Sequence, residues 1–249
     1  MKIIAANWKM NKTNAEAREF FAEYETLVSQ TENRVIFCAP YTTLPTVIMK
    51  SRELGFGVGA QNLHAAKNGT FTGEISADML VDIGAQSVIV GHSERRAQFG
   101  ERDDVINRKI KAALVAGLEV IFCIGEKIEE RNNGNAFDVL HMQFIQGLKD
   151  IRDPRNLIVA YEPVWAISGG DPSKPKPIAT TEQIAEVHAF IKKLIAQQFG
   201  TTDIPVLYGG SANDTNVDEI FAIPNVDGAL VGGASLVAEK FAKMVNYSE

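Results

Sequence analysis

Cysteine is scarce in this chain, with two residues, Cys38 and Cys123, in 249. Two thiols do not make the disulfide framework of a small secreted domain. Each closes an apolar run, Val35-Ile36-Phe37 or Val120-Ile121-Phe122, and so reads as a buried free thiol. A reducing, cytoplasmic setting is expected. No apolar run is long enough to span a bilayer, so no membrane partner is expected. The run from Met1 to Ala6 leads into polar Asn7 without a cleavage pattern, and no leader is expected. No basic stripe interleaved with aromatics is present and the formal charge is -6, which argues against nucleic acid as a partner. His-x-x-x-His and Cys/His clusters at ligand spacing are missing, so no metal site is expected. No cofactor motif appears either: Gly-x-Gly-x-x-Gly does not follow the first strand.

What the chain does have is alternation. Short runs rich in Val and Ile predict strands at 3–9, 35–39, 57–61, 87–90, 119–124, 157–162, 204–208 and 228–231. They are mostly apolar throughout, as strands of a parallel sheet covered on both faces read. Helical patterns fall between them at 15–30, 43–54, 76–83, 103–116, 136–151, 181–199, 213–222 and 234–245. Gly117 and Gly200 sit where left-handed caps belong. Eight strand–helix pairs of this length predict an α/β fold, a closed (β/α)8 TIM barrel forming a single domain over 1–249. An open doubly wound sheet is the alternative. One segment has biased composition, Ser-Gly-Gly-Asp-Pro-Ser-Lys-Pro-Lys-Pro at 168–177, and reads as a loop.

Polar residues gather at the carboxyl ends of the predicted strands, where barrel enzymes keep their active sites. Glu162 ends an apolar run and is followed by Pro163, Val164 and Trp165, then by the Gly/Pro-rich segment. A base on a rigid strand end, with a lid directly after it, suits proton abstraction from carbon. A strand-end ion pair is the plain alternative. His92 stands between a strand and the helix start Ser93-Glu94-Arg95-Arg96, where backbone N–H groups disfavour imidazolium. A neutral imidazole there could donate to a carbonyl oxygen. Lys9, two residues after Asn7, would share its side of a strand and present a fixed positive charge. His64, His141 and His188 read as structural or solvated, and Arg95, Arg96 and Glu101 as an ion-pair network. Gly209-Gly210-Ser211 and Gly232-Gly233 follow the last two strands, a common place for phosphate held by bare backbone N–H groups.

These motifs together resemble the triosephosphate isomerase family: Asn7-Trp-Lys-Met-Asn11, Gly59-Ala-Gln-Asn62, Phe71-Thr-Gly-Glu-Ile-Ser76, Gly91-His-Ser-Glu-Arg-Arg96, Cys123-Ile-Gly-Glu126, Tyr161-Glu-Pro-Val-Trp165, Tyr208-Gly-Gly-Ser211 and Leu230-Val-Gly-Gly-Ala-Ser-Leu236. They run in the family's order along nearly the whole chain. The resemblance implies a cofactor-independent isomerase acting on triose phosphates. Glu162 would be the base, His92 a neutral electrophile and proton shuttle, and Lys9, with Asn7, the stabiliser of developing charge. Ser168, Ser211, Gly232 and Gly233 would grip the phosphate through backbone N–H groups. Ile167 and Leu230 would cage Glu162 and raise its basicity, and Glu94 would support Lys9. It further implies a homodimer built on the loop at 63–73, opened by Leu63 and closed by Gly73, with Thr72 set against the partner's Asn7 and Lys9.

The chain departs from the family at the lid. After Ile167 it carries Ser168-Gly169-Gly170 where the family has Gly-Thr-Gly, and a proline-rich insertion moves the second hinge to about Pro177-Ile178-Ala179. Prolines there are expected to stiffen the far arm of the lid. Another phosphosugar barrel would share the glycine pairs but would not need Asn-Trp-Lys and His-Ser-Glu-Arg together. A barrel serving only as a binding module would not need Glu162, His92 and Lys9.

Overall fold

The computed structural model describes residues 1–167 and 177–248. Eight parallel strands close into a barrel in chain order. They are β1 (Ile3–Asn7), β2 (Arg34–Ala39), β3 (Gly57–Ala60), β4 (Ser87–Val90), β5 (Glu119–Ile124), β6 (Leu157–Tyr161), β7 (Val206–Tyr208) and β8 (Gly228–Val231). The first strand pairs with β2 on one edge and β8 on the other, in the registers Ala5↔Ile36 and Ala5↔Leu230, so no edge is left open.

Strand alternation splits the core in two. Ile3, Ala5, Ile36, Cys38, Ile121, Cys123, Ile158 and Leu207 fill the barrel interior. Their neighbours Ile4, Ala6, Phe37, Val120, Phe122, Val159 and Val206 point outward into the layer shared with the helices. Each buried Ile, Leu or Phe contributes about 1.5–3 kcal/mol relative to exposure. Covering both faces explains why the strands lack polar alternation. Both cysteines are free and buried, as expected.

The outer layer begins with α1 (Asn14–Leu27), α2 (Leu44–Leu54), α3 (Ala77–Ile83), α4 (Ser93–Gln98) and α5 (Asp103–Val115). It continues with α6 (Ile128–Asn132), α7 (Ala136–Gly147), α8 (Thr181–Phe199), α9 (Val217–Phe221) and α10 (Ala238–Val245). Two capping boxes start helices: Thr13 with Glu16 at α1, and Thr180 with Gln183 at α8. Each such cap stabilises its helix by about 1 kcal/mol. Gly200 closes α8 at φ 70, and Gly117 follows α5 at φ 85. Among the described residues no helix is long and apolar enough to cross a membrane.

Several expected bounds move. The first strand stops at Asn7 rather than at Lys9, because the chain turns into positive φ at Lys9. The seventh starts after Pro205, which has no N–H for the ladder. The seventh helix stops at Gly147, where a Cβ would run into the Phe122 ring, rather than at 151. The helix expected at 213–222 shortens to Val217–Phe221, and that at 234–245 divides into a 3-10 turn, Gly233–Leu236, and α10. Short helices α4 and α6, given no bounds by the apolar pattern, occupy the strand ends after β4 and β5. The insertion expected at 168–177 falls almost wholly outside the described residues, and Ser168 with it.

Candidate active site

The carboxyl end of the barrel opens on a small cleft of about 160 Å³. Asn7, Lys9, His92, Glu162, Ser211 and Gly232 line it, together with Ile167, Leu230 and Gly233. Residues far apart in the chain thus meet at one point, delivered by the carboxyl ends of five strands, β1, β4, β6, β7 and β8.

Lys9 enters by a bent path. Its φ is 51, a conformation unfavourable for a residue with a Cβ, and the Asn7 side chain accepts its N–H at 3.0 Å to hold the turn. The expectation that Asn7 and Lys9 share a strand face therefore fails, since the strand has ended, yet both still reach the cleft. Lys9 Nζ lies 2.8 Å from Glu94 Oε1, an ion pair. A Cβ at Gly232 would sit 3.4 Å from Lys9 Cε, so a larger side chain there would crowd the lysine.

His92 is buried at the start of α4, after Gly91 has turned the chain at φ 78. Its Nδ1 accepts the Glu94 N–H at 3.2 Å, so that nitrogen carries no proton. Nε2 stands 2.9 Å from Glu162 Oε1, placed to donate. This pattern is that of a neutral imidazole. Burial reinforces it, while the Glu162 carboxylate and, less strongly, Glu94 oppose it and leave the pKa above the ordinary histidine value.

Glu162 is 2 % exposed and engages both oxygens: Oε1 with His92, Oε2 with the Ser93 N–H at 2.7 Å. Burial pushes its pKa up. His92, the Ser93 N–H and Lys9 outweigh that push, and the carboxyl is held below the ordinary glutamate value in this resting arrangement. The raised basicity that the family resemblance implied is therefore not what this arrangement gives. Two glycines make room for it. A Cβ at Gly209 would lie 2.9 Å from Glu162 Cγ, and one at Gly125 would collide with the Glu162 carbonyl.

The turn after Glu162 is anchored from both sides. Ser211 Oγ donates to Ala166 O at 2.6 Å. Fully buried Glu126 accepts from Trp165 Nε1 at 2.8 Å, Tyr161 OH at 3.1 Å and Arg131 Nη1 at 3.0 Å. Thr72 is exposed on the 63–73 loop, away from this cleft's own lining. Sequence reasoning missed the Ser93 N–H and the anchoring part of Glu126. The Gly125-Glu126 pair at a strand end was a signal, but nothing in the sequence names its partners.

A closed parallel barrel bringing a carboxylate, an imidazole and an ammonium to its carboxyl end is a (β/α)8 enzyme scaffold equipped for acid–base chemistry. The family model described as triosephosphate isomerase matches residues 2–248. The triosephosphate isomerase of Geobacter metallireducens is 46% identical over 251 residues, covering 98% of each chain. That of Synechococcus sp. (strain JA-3-3Ab) is 44% identical over 251 residues, covering 98% of this chain and 94% of the relative. The crystal structure of triosephosphate isomerase from Bartonella henselae superposes with a TM-score of 0.83 at 39% identity, covering 98% of this chain and 97% of that one. The chain belongs to the triosephosphate isomerase family, and it is an isomerase.

Proposed function

We propose that this isomerase interconverts dihydroxyacetone phosphate and D-glyceraldehyde 3-phosphate through an enediolate. The observation that carries the reading is the meeting of Glu162, His92 and Lys9 in one small cleft. Glu162 gives up its bonds to His92 and Ser93, takes a proton from the carbon beside the carbonyl and returns it to the neighbouring carbon. His92, neutral, donates its Nε2 proton to the carbonyl oxygen and then moves protons between the two oxygens. Lys9 sets its charge against the developing enediolate, with Asn7 fixing the lysine's turn. Positioned acid–base groups supply roughly 10²–10⁴-fold, so electrostatic stabilisation must supply much of the remainder. Every proton removed is replaced, and no electron acceptor is consumed.

Ser211, Gly232 and Gly233 would hold the phosphate, with Ser168 as a fourth donor that lies outside the described residues. Ile167 and Leu230, both in the cleft wall, would close an apolar cage over Glu162 once the substrate is bound. We read the enzyme as a cytoplasmic homodimer built on the 63–73 loop and serving glycolysis and gluconeogenesis. Exposed Phe71 on that loop, 45% accessible, and Met10 beside Lys9, 96% accessible, support a partner surface there.

The test is a coupled assay with D-glyceraldehyde 3-phosphate as sole substrate, run also in deuterated water. Turnover with deuterium appearing on carbon 1 of the ketone product is expected. A folded protein giving neither turnover nor exchange would reject the reading.

A further inference from the structure

We propose that Arg96 is a positioning residue for His92, acting through the two strand-end carbonyls from which the acid–base pair hangs. The inference rests on the isomerase reading of the cleft. The ladder between β4 and β5 gives out at the pair Val90↔Phe122. Beyond it the chain bends at Gly91, φ 78, and the next residue is His92. From that bend to Ser93 no ladder partner fixes the chain, yet His92 must stand 2.9 Å from Glu162 Oε1.

The Arg96 fork takes over there. Its Nε donates to Gly91 O at 2.9 Å, its Nη2 to Cys123 O at 3.2 Å, and its Nη1 meets Asp103 Oδ1 at 2.5 Å. The Arg96 N–H also donates to His92 O at 3.1 Å, so backbone and side chain of one residue hold both sides of the imidazole's attachment. The fit is tight: a Cβ at Gly91 would lie 3.3 Å from Nη2 and 3.2 Å from Cys123 O. The second carbonyl matters as much. Just after Cys123, Ile124 O accepts the Glu162 N–H at 2.8 Å, and at Gly125, past the end of β5, a Cβ would collide with the Glu162 carbonyl. One planar cation therefore ties the strand end that delivers His92 to the strand end that braces Glu162. Only a guanidinium reaches three acceptors in that geometry; an ammonium cannot span them. Arg96 does not line the cleft, so its effect must pass through position.

The experiment begins with kcat and KM of the unaltered enzyme, whose activity separates this inference from the functional reading itself. Arg96→Gln is expected to lower kcat roughly tenfold to a hundredfold, the scale of a misplacement near 1 Å. KM should change less than threefold on the order-of-magnitude view that phosphate grip is untouched. Arg96→Lys should recover part of the loss. In a His92→Gln background, Arg96→Gln should add little, because the group it positions is gone. The hydrogen-bonded Nε2 proton of His92 should shift or broaden in the NMR spectrum of Arg96→Gln. Unchanged kcat, a loss carried by KM, or a full further loss in the His92→Gln background would each overturn the proposal. If Arg96→Gln does not fold, Arg96→Lys and Asp103→Asn carry the same kinetic test, with smaller losses of kcat expected and unchanged kcat in both rejecting it.

Discussion

Two carboxylates at neighbouring strand ends are buried almost equally and are held in opposite ways. Glu162, beyond β6, is 2 % exposed and Glu126, beyond β5, is 0 % exposed. Glu162 meets the His92 imidazole through Oε1 and the Ser93 N–H through Oε2, with the Cys123 thiol also set against its carboxylate. Glu126 gathers three donors on Oε1, from arginine, tyrosine and tryptophan, while its Oε2 has no partner among the described residues. Burial alone therefore does not mark a base. A carboxylate that must move a proton needs partners it can exchange for a substrate, whereas one that anchors a turn needs donors that stay put.

The sharpest way to break the comparison is to neutralise each carboxylate in turn. If Glu162 is the base proposed above, Glu162→Gln should cut kcat by about 10²–10⁴-fold or more, since the acceptor of the carbon proton is lost. Its thermal midpoint should move by only about 2–4 °C, the equivalent of about 1 kcal/mol in a chain of this size. Steady-state kinetics and a melting curve on the same sample decide it; full activity would remove Glu162 from the reaction.

Glu126→Ala should show the reverse profile. Two buried donors, Tyr161 OH and Trp165 Nε1, and one partly buried cation, Arg131, 17% accessible at its side chain, lose their acceptor. The expected cost is about 3 kcal/mol, the lower range for breaking a buried pair, read as a lowered urea midpoint. Turnover should fall less than in Glu162→Gln, through loosening of the turn at Val164–Ala166. If stability held and turnover vanished, Glu126 would be a reacting group and the distinction drawn between the two would be wrong.

How much of this was legible beforehand depends on the distance over which each feature is decided. The barrel followed from period and alternation, which are local, and so did Gly200 at the end of α8. Glu162, His92 and Lys9 stood out because each ends or follows an apolar run, and the family motifs added their roles. What stayed hidden was pairing across the barrel. Nothing local says that Oε2 of Glu162 takes the Ser93 N–H, or that Arg96 reaches past its own helix to Cys123 O. The strand-face argument for Lys9 failed for a similar reason: period 2 holds only while the ladder lasts, and the Asn7 side chain ends it. His188 was read as structural or solvated. It is fully buried, with Nδ1 3.0 Å from Asn225 O and its pKa pushed down to about 4 by burial, a state decided by α8 packing on β6 and β7.

The smallest expected effect sharpens the comparison most directly, because it reads the charge of Glu162 from the group facing it. His92 owes its raised pKa to that carboxylate, against the opposing pull of burial and of Lys9. In Glu162→Gln the raising charge is gone and the lowering influences remain, Glu94 being the weaker of the two acidic neighbours. The imidazole should then stay neutral to lower pH than in the unaltered enzyme. Glu126 is not among the groups acting on His92, so Glu126→Ala should leave its titration in place. Following the His92 Cε1–H resonance against pH in the three proteins tests this. A downward shift in Glu162→Gln alone would confirm that one buried carboxylate is electrically coupled to the His92 ring and the other is not. The same titration in all three would mean that the 2.9 Å contact between Nε2 and Oε1 carries no charge coupling, and Glu162 would lose the feature that separates it from Glu126.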